Sequence, residues 1–327
     1  MRALALFSGG LDSMLAIKLI TLQGLEVTAF YMDNGFGATS EHFKILRHRA
    51  ASVGADFEVI DMQERYLQDV LFNPKFGYGK WFNPCIDCHG YMFKTALNLL
   101  DKFSANFVIS GEVLGQRPMS QRREAMNSVA RLSGDEENLI LRPLCAKLLS
   151  PTKPENMGWV DREKLLDISG RGRDKQLELV KKFDIKEYAS PAGGCLLTLE
   201  HFSNKIKDML NYGEKLETFD ISFLRYGRHL RLKDGAKMIV GRDEKENEIL
   251  RSLKNTKFEN IDISPNIGAY SLISKNSSYQ DKLLASKIAI TYAKTDPNLI
   301  YDVFIGSEKF QISPFEDKAL ISKYLIR

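Results

Sequence analysis

Long apolar runs are missing from this chain of 327 residues. None approaches the roughly 20 residues that a membrane-crossing helix needs, so no membrane partner is expected. The opening stretch, Met1 to Phe7, is too short in its apolar part for a secretory signal, and the reading places the protein in the cytoplasm. Cysteine is scarce, with four residues at Cys85, Cys88, Cys145 and Cys195. In a reducing compartment so few thiols do not make a disulfide framework. A second CxxC or a His pair, which usually completes a structural zinc site, is also missing, and Cys145 and His89 could complete one only by chance of folding. No internal repeat is visible. Charge of one sign is barely in excess, with 46 Lys and Arg against 42 Asp and Glu. Residues 1–201 carry 25 of each sign, so the whole excess of +4 lies in residues 202–327. That excess hints at a polyanionic partner and no more. Composition is otherwise that of an ordinary globular chain, and the length suggests two domains.

The most informative segment present is Ser8-Gly9-Gly10-Leu11-Asp12-Ser13. It follows an apolar run, Ala3–Phe7, and precedes a helical pattern, Met14–Gln23. Strand, tight loop and helix in that order present backbone N–H groups and a helix N-terminus to an anion. Adjacent glycines let the backbone approach a phosphate closely. A carboxylate at Asp12 suits a bridging Mg²⁺ better than a bare phosphate. The bland alternative is a Gly-Gly turn followed by a helix cap. The Gly-Lys-Ser/Thr ending of a Walker loop is absent.

Along residues 1–200, short apolar runs at Leu4–Phe7, Val27–Met32, Phe57–Ile60 and Phe107–Ser110 alternate with helical patterns. The helices are expected at Met14–Gln23, Glu41–Val53, Gln63–Phe72 and Met92–Phe103. Such alternation predicts an α/β fold, a doubly wound parallel sheet with helices on both faces. Ligands then bind beyond the carboxyl ends of the strands, where Ser8, Met32–Gly37 and Gly111 would lie. Later residues read as a second, smaller α+β domain. Its strands are expected at Ile221–Leu224, His229–Leu232, Lys237–Val240, Tyr270–Ile273 and Asp302–Ile305. Its helices are expected at Glu244–Leu253, Asp281–Tyr292 and Phe315–Leu325. The helix His201–Asn211 closes the first domain, giving bounds of 1–205 and 212–327.

Asn83-Pro84-Cys85-Ile86-Asp87-Cys88-His89 places Cys88 near a helix N-terminus with His89 beside it, and both features favour thiolate over thiol. Pro191-Ala192-Gly193-Gly194 makes a turn into Cys195, where a glycine pair lets the thiol approach another group. Two buried small residues in a proline turn would be the structural explanation. Together with an adenylating loop, the thiols suggest sulfur transfer. One cysteine would carry a persulfide and another would resolve it.

The SGGLDS string resembles the pyrophosphate loop of the PP-loop ATP pyrophosphatases, which convert ATP to AMP and pyrophosphate. The NPCIDC stretch is similar to the catalytic segment of the tRNA 2-thiouridylases, and Cys195 is placed like their later partner cysteine. Ser110-Gly111-Glu112-Val113-Leu114-Gly115-Gln116 with Ser120-Gln121, and Leu141-Arg142-Pro143-Leu144, resemble segments of the tRNA 4-thiouridine synthases. The resemblance covers most of residues 1–200. It implies an ATP-dependent tRNA sulfurtransferase, with ATP and Mg²⁺ at Ser8, Gly9, Gly10, Leu11, Asp12, Ser13 and Gly111. Cys88, Cys195 and Asp12 would be catalytic. Cys85, Cys88 and Cys195 would hold a [4Fe-4S] cluster in those relatives that use one. Partners implied are tRNA and a sulfur donor, either a cysteine desulfurase or sulfide; a homodimer is compatible. The RNA-binding module called THUMP and a rhodanese-like domain are not seen. An amide- or nitrile-forming synthetase and a non-enzymatic ATP-sensing RNA-binding factor stay open as alternatives.

The densest basic segment is Arg225-Tyr226-Gly227-Arg228-His229-Leu230-Arg231-Leu232-Lys233. Its cations near Tyr226 suit phosphate contact and base stacking, and a guarded edge strand is the alternative. With Gly241-Arg242-Asp243-Glu244, it resembles the NFACT-R domain, an RNA-binding module, over residues 220–305. Arg225, Arg228, Arg231 and Lys233 are the RNA-binding candidates. Weaker candidates are Asp33 and Asn34 for ribose or adenine, and Arg117, Arg122, Arg123, Arg171 and Arg173 for phosphates. Trp81 is a further weak candidate as a shield for the thiols.

Overall fold

A computed structural model describes residues 1–189, 194–265, 268–293 and 295–327. Two compact units divide the chain, Met1–Thr198 and Leu199–Arg327.

The first unit opens with β1 (Arg2–Leu6), α1 (Leu11–Thr21), β2 (Glu26–Asp33), α2 (Phe43–Ser52) and β3 (Asp56–Asp61). It continues through the short α3 (Gln63–Tyr66), α4 (Cys85–Leu97), β4 (Phe107–Ser110) and α5 (Arg123–Ser133). It ends with β5 (Ile140–Leu141), the single turn α6 (Lys153–Asn156) and α7 (Asp174–Lys182). The five strands run parallel in the order β3-β2-β1-β4-β5. The order in which strands are added reverses between β1 and β4, which makes the crevice beyond their carboxyl ends the ligand position of a doubly wound sheet. The central strands are apolar on both faces because helices cover both. Ala3, Leu4, Phe107, Val108 and Ile109 are fully buried, and Met14, Ile17 and Ile20 of α1 pack into the same core.

The second unit begins with α8 (Glu200–Asn211), α9 (Thr218–Arg225), β6 (Arg228–Arg231), β7 (Lys237–Val240) and α10 (Glu244–Ser252). It then adds β8 (Phe258–Ser264), β9 (Ser271–Ser274), α11 (Tyr279–Tyr292), β10 (Tyr301–Ile305) and β11 (Glu308–Ile312). Its antiparallel sheet has the order β11-β10-β8-β9-β7-β6. Leu230, Met238, Ile273, Ile288 and Val303 form the core under α11. Phe223, Ile239, Leu250 and Phe258 form a smaller one on the opposite face.

Several expectations change, among them the helix at Phe315–Leu325, which is a 3₁₀ stretch over Lys318–Tyr324. Ile221–Leu224 is helix α9, because Asp220, Ile221, Phe223 and Leu224 are buried at helical spacing and a reciprocal Glu217–Asp220 box caps the start. A four-residue apolar run is too short to reveal its period. The helix expected from Met92 starts at Cys85, which puts both cysteines of the CxxC inside its first turn. Helix α8 groups with the second unit. Lys205 donates to the Leu224 carbonyl at 2.7 Å and Asp208 pairs with Arg231.

Candidate functional site

At the carboxyl end of β1, Gly9 adopts φ +73° and a Cβ there would lie 2.2 Å from Leu46 Cδ2. Only glycine fits both demands. Ser8 Oγ accepts the Gly10 N–H at 3.4 Å, and the Ser13 hydroxyl donates to the Gly10 carbonyl at 2.8 Å. At the end of β4, a Cβ on Gly111 would meet Ser13 N at 2.4 Å and Asp12 C at 2.5 Å. The two strand ends therefore close on one another through a glycine, as expected for the loop of a switch-point crevice.

Asp12 does not face open solvent. Gln116 Nε2 donates to its Oδ2 at 2.6 Å, and the fully buried Gln176 donates to Oδ1 at 3.4 Å. Arg173 lies 3.5 Å from Oδ2. Arg173 therefore joins the loop by neutralising its carboxylate. Gln116 and Gln176 had no signal of their own beyond the position of Gln116 inside a longer motif. A Mg²⁺ at Asp12 fits the donor chemistry by exchanging places with these neutral amides.

The cysteines gather around Tyr66, which is fully buried. Its hydroxyl hydrogen-bonds to Cys88, and Cys195 and Cys85 both act electrostatically on Cys88. Cys85, Cys88 and Cys195 are partly exposed, whereas Cys145 is buried. Asn34 Nδ2 donates toward Cys88 Sγ at 3.8 Å and Asn83 Nδ2 toward Cys85 Sγ at 3.2 Å. Leu196 N donates to the Phe36 carbonyl at 2.9 Å, and Gly10 bridges to Ala189 in parallel register. The chain flanking Cys195 is thus tied both to the loop after β2 and to the nucleotide loop. The predicted turn residues Pro191, Ala192 and Gly193 lie outside the described residues. Asn34 serves a thiol, and Asp33 makes the turn, accepting the Gly35 N–H at 2.9 Å. Trp81 lies half-buried, its N–H donating to Asn83 Oδ1 at 3.0 Å and its ring under Lys80.

The expectation of a thiolate at Cys88 is overturned. Burial, with the neighbouring Cys195 and Cys85, pushes its thiol up to about 12 and outweighs the Tyr66 and Asn34 hydrogen bonds. His89 gives no help, because it is engaged elsewhere: Nδ1 lies 2.7 Å from Glu112 Oε1. Arg142 Nε donates to the other Glu112 oxygen at 2.7 Å. Burial alone would raise Glu112, but the Arg142 guanidinium and the His89 contact hold it at about 2. His89 follows the CxxC, Glu112 belongs to the SGEVLGQ segment and Arg142 to LRPL. Three segments far apart in sequence meet at one carboxylate. Among the described residues no three Cys, His, Asp or Glu side chains converge as ligands of one metal ion. For a cluster, the donor set of three thiols is chemically suitable.

In the second unit the basic strand divides. Arg231 is structural: its guanidinium meets Asp208 at 2.5 Å, Glu214 at 2.6 Å and the Gly235 carbonyl at 2.8 Å. It also lies 4.1 Å above the Tyr212 ring. An RNA phosphate would have to displace all of these, so Arg231 is removed from the RNA-binding set. Arg228 donates to the Gly241 carbonyl at 3.1 Å and covers the Tyr292 ring at 4.9 Å. Arg225 is half-buried and Lys233 exposed.

Comparison with known proteins agrees with this division. Residues 2–78 match the model of the argininosuccinate synthase N-terminal HUP domain. Residues 227–325 match the model of the NFACT protein RNA binding domain. A tRNA-specific 2-thiouridylase of Syntrophotalea carbinolica is 30% identical over 117 residues, 33% of each chain. A protein of unknown role from Methanocaldococcus jannaschii is 26% identical over 147 residues, covering 43% of this chain and 54% of its own. The solved complex of a 4-thiouridine synthetase with RNA and ATP is 17% identical, covers 56% of this chain and 51% of its own, and aligns with a TM-score of 0.36. The chain spans about a third of the length of the thiouridylases it matches first. The first unit is thus an α/β unit whose residues 2–78 are similar to a HUP domain, and residues 227–325 of the second are similar to an NFACT-type module. Within that class the resemblance to the thiouridine synthase type stands.

Proposed function

We propose that this chain is an ATP-dependent tRNA sulfurtransferase. The observation that carries the reading is the gathering of Cys85, Cys88 and Cys195 about Tyr66, with the chain before Cys195 bridged to Gly10 of the nucleotide loop. The 2-thiouridylase similarity supports the same chemistry for the first unit, and the NFACT match supports RNA as the partner of the second.

ATP occupies the Ser8–Ser13 loop, with its pyrophosphate against the loop N–H groups and the N-terminus of α1. A uridine carbonyl oxygen attacks the α-phosphorus and pyrophosphate leaves. The terminal sulfur of a persulfide on Cys88 then attacks the activated carbon. Cys195 attacks the inner sulfur, forming a Cys88–Cys195 disulfide and leaving the electron pair on the transferred sulfur. The thiocarbonyl forms as AMP departs. For the next cycle either an external dithiol reduces the disulfide, being itself oxidised, and a cysteine desulfurase persulfide passes its terminal sulfur to Cys88, or sulfide attacks the Cys88 sulfur of the disulfide directly, giving the Cys88 persulfide and releasing the Cys195 thiolate. Cys88 held as a thiol is suited to this, since a persulfide is more acidic than its parent thiol and ionises where the thiol does not. The second reading holds a [4Fe-4S] cluster on Cys85, Cys88 and Cys195; such a group, when bound, supplies an open iron for the sulfide.

Sulfur incorporation into tRNA, read by nucleoside mass spectrometry with ATP and a sulfur donor, tests the proposal. Cys88→Ser is expected to abolish thiolation while pyrophosphate release persists. Full thiolation by that variant would refute the role of Cys88, and activity without any cysteine would shift the assignment to a nitrogen-transferring synthetase. Iron and sulfide content after anaerobic purification separates the two sulfur readings.

A further inference from the structure

The second unit contains a cavity of about 540 Å³ between α9, the β6 and β7 strands and the N-terminus of α11. Its apolar wall includes Phe223, Ile239 and Phe258. Two of its lining residues carry buried polar atoms without hydrogen-bond partners: Lys237 Nζ and His229 Nδ1.

These two atoms ask for opposite things. Lys237 is 2% exposed, and its closest carboxylate oxygen, Asp208 Oδ2, stands 3.8 Å away. Asp208 is already committed to Arg231 at 2.5 Å. Lys237 therefore offers a donor and a charge. His229 faces the Tyr226 and Phe223 carbonyls, and its Nε2–H donates to Tyr226 at 2.9 Å. Burial and the nearby Lys205 and Lys237 push the ring far below its ordinary range, so it is neutral and Nδ1 is a bare acceptor. The carboxylates of the cavity wall are spoken for: Glu214 by Arg231, Glu217 and Asp220 by Lys257, and Asp234 by the Ser278 hydroxyl. The Ser278-capped start of the 14-residue α11 lies on the rim with the exposed Lys215 and Lys275.

We infer that this cavity receives one ribonucleotide, with its phosphate on Lys237 and the adjacent 2′-hydroxyl donating to His229 Nδ1. A phosphate oxygen supplies the missing acceptor and a vicinal hydroxyl the missing donor. The 2′-hydroxyl is the group by which a protein tells RNA from DNA. The rim lysines and helix N-terminus favour the anion, and the phenylalanine wall suits the base or sugar face. This inference rests on the RNA-binding reading of the second unit and moves its centre from the basic strand, where Arg231 is structural, to the cavity.

The test uses the full-length protein with uridine 3′-monophosphate, its 2′-deoxy counterpart, inorganic phosphate and a tRNA transcript. Titration followed by NMR should move the His229 side-chain signals. The ribonucleotide should bind about tenfold or more tightly than the deoxy form, the scale of one buried hydrogen bond. Lys237→Met should fold, since it removes a buried cation that lacks a hydrogen bond, and should weaken both nucleotides. His229→Phe should erase the difference between ribo and deoxy forms. Equal affinity for the two nucleotides, or an unmoved His229 signal in the wild type at saturation, overturns the inference without any variant. A wild-type protein that binds tRNA as tightly as Lys237→Met does so elsewhere; the cavity assignment then fails and the RNA reading stands. A wild-type protein that binds no tRNA at low salt refutes the RNA reading itself. Mononucleotide binding with the ribo preference would then identify the ligand as a free ribonucleotide.

Discussion

Single residues in the first unit are constrained by contact more than by charge. Gly111 is the clearest case, since any Cβ enters the backbone of Asp12 and Ser13. Gly111→Ala is expected to abolish ATP binding by calorimetry. Gly24→Ala, at φ +81° but with open space around it, should cost only about 1 kcal/mol and bind ATP normally. Normal binding by Gly111→Ala would show that the loop relaxes and that the close approach is incidental. Cys88 obeys a different constraint. With its thiol pushed up to about 12, alkylation of the reduced, iron-free protein at Cys88 should be slow at pH 7 and keep rising beyond pH 9. A rate already at its plateau at pH 7 would contradict a raised Cys88 thiol. The loop glycines and the cysteines were legible in sequence, because their types are rare and their spacing is short. Tyr66, Asn34 and Gln176 were not, since an aromatic or an amide in an apolar segment carries no distinguishing pattern.

At the scale of elements, the N-terminal turn of α4, the end of β4 and the segment after β5 are joined through Glu112. A buried carboxylate with two basic partners tolerates the loss of neither side. Glu112→Ala should cost on the order of 3–5 kcal/mol, because Arg142 is left buried and unpaired. The folded carboxyl sits below its ordinary value. Its contribution is therefore fully present above about pH 4.5 and is lost as the pH falls toward 2. Chemical denaturation across that window should show a steeper fall for the wild type than for Glu112→Gln; parallel curves would mean that Glu112 is not ionised in the fold. Element types followed from the length of the apolar runs and their flanking residues where the runs were long, as in β2, α1 and α11. They failed at α9, where four apolar residues fit a strand as well as one turn of helix. The start of α4 was hidden because Cys85–Gly90 has no apolar period, although Pro84 marked the place.

At the scale of the whole molecule, two hydrophobic cores lie in two units of opposite sheet type. Two calorimetric transitions are expected. Glu112→Ala should lower one of them, and Arg231→Ala the other, by about 3–5 kcal/mol in each unit's stability. A single transition moved equally by both would refute independent cores. Arg231→Ala should impair RNA binding only in proportion to unfolding, whereas Arg228→Ala should weaken it in the folded protein and reduce its salt dependence. Among the described residues no helix is long and apolar enough to cross a membrane.

The amino-acid order alone determined the parallel α/β architecture, the nucleotide loop and the identity of the thiols, because each depends on neighbours within a few residues of one another. Tertiary structure alone decided that the surroundings of Cys88 raise its thiol, that Arg173 belongs to Asp12 and that Arg231 is locked away from solvent. Those outcomes depend on burial and on partners up to 164 residues distant, such as Gln176 on Asp12. Desolvation and charge pairing are properties of the packed interior and leave no periodic trace along the chain.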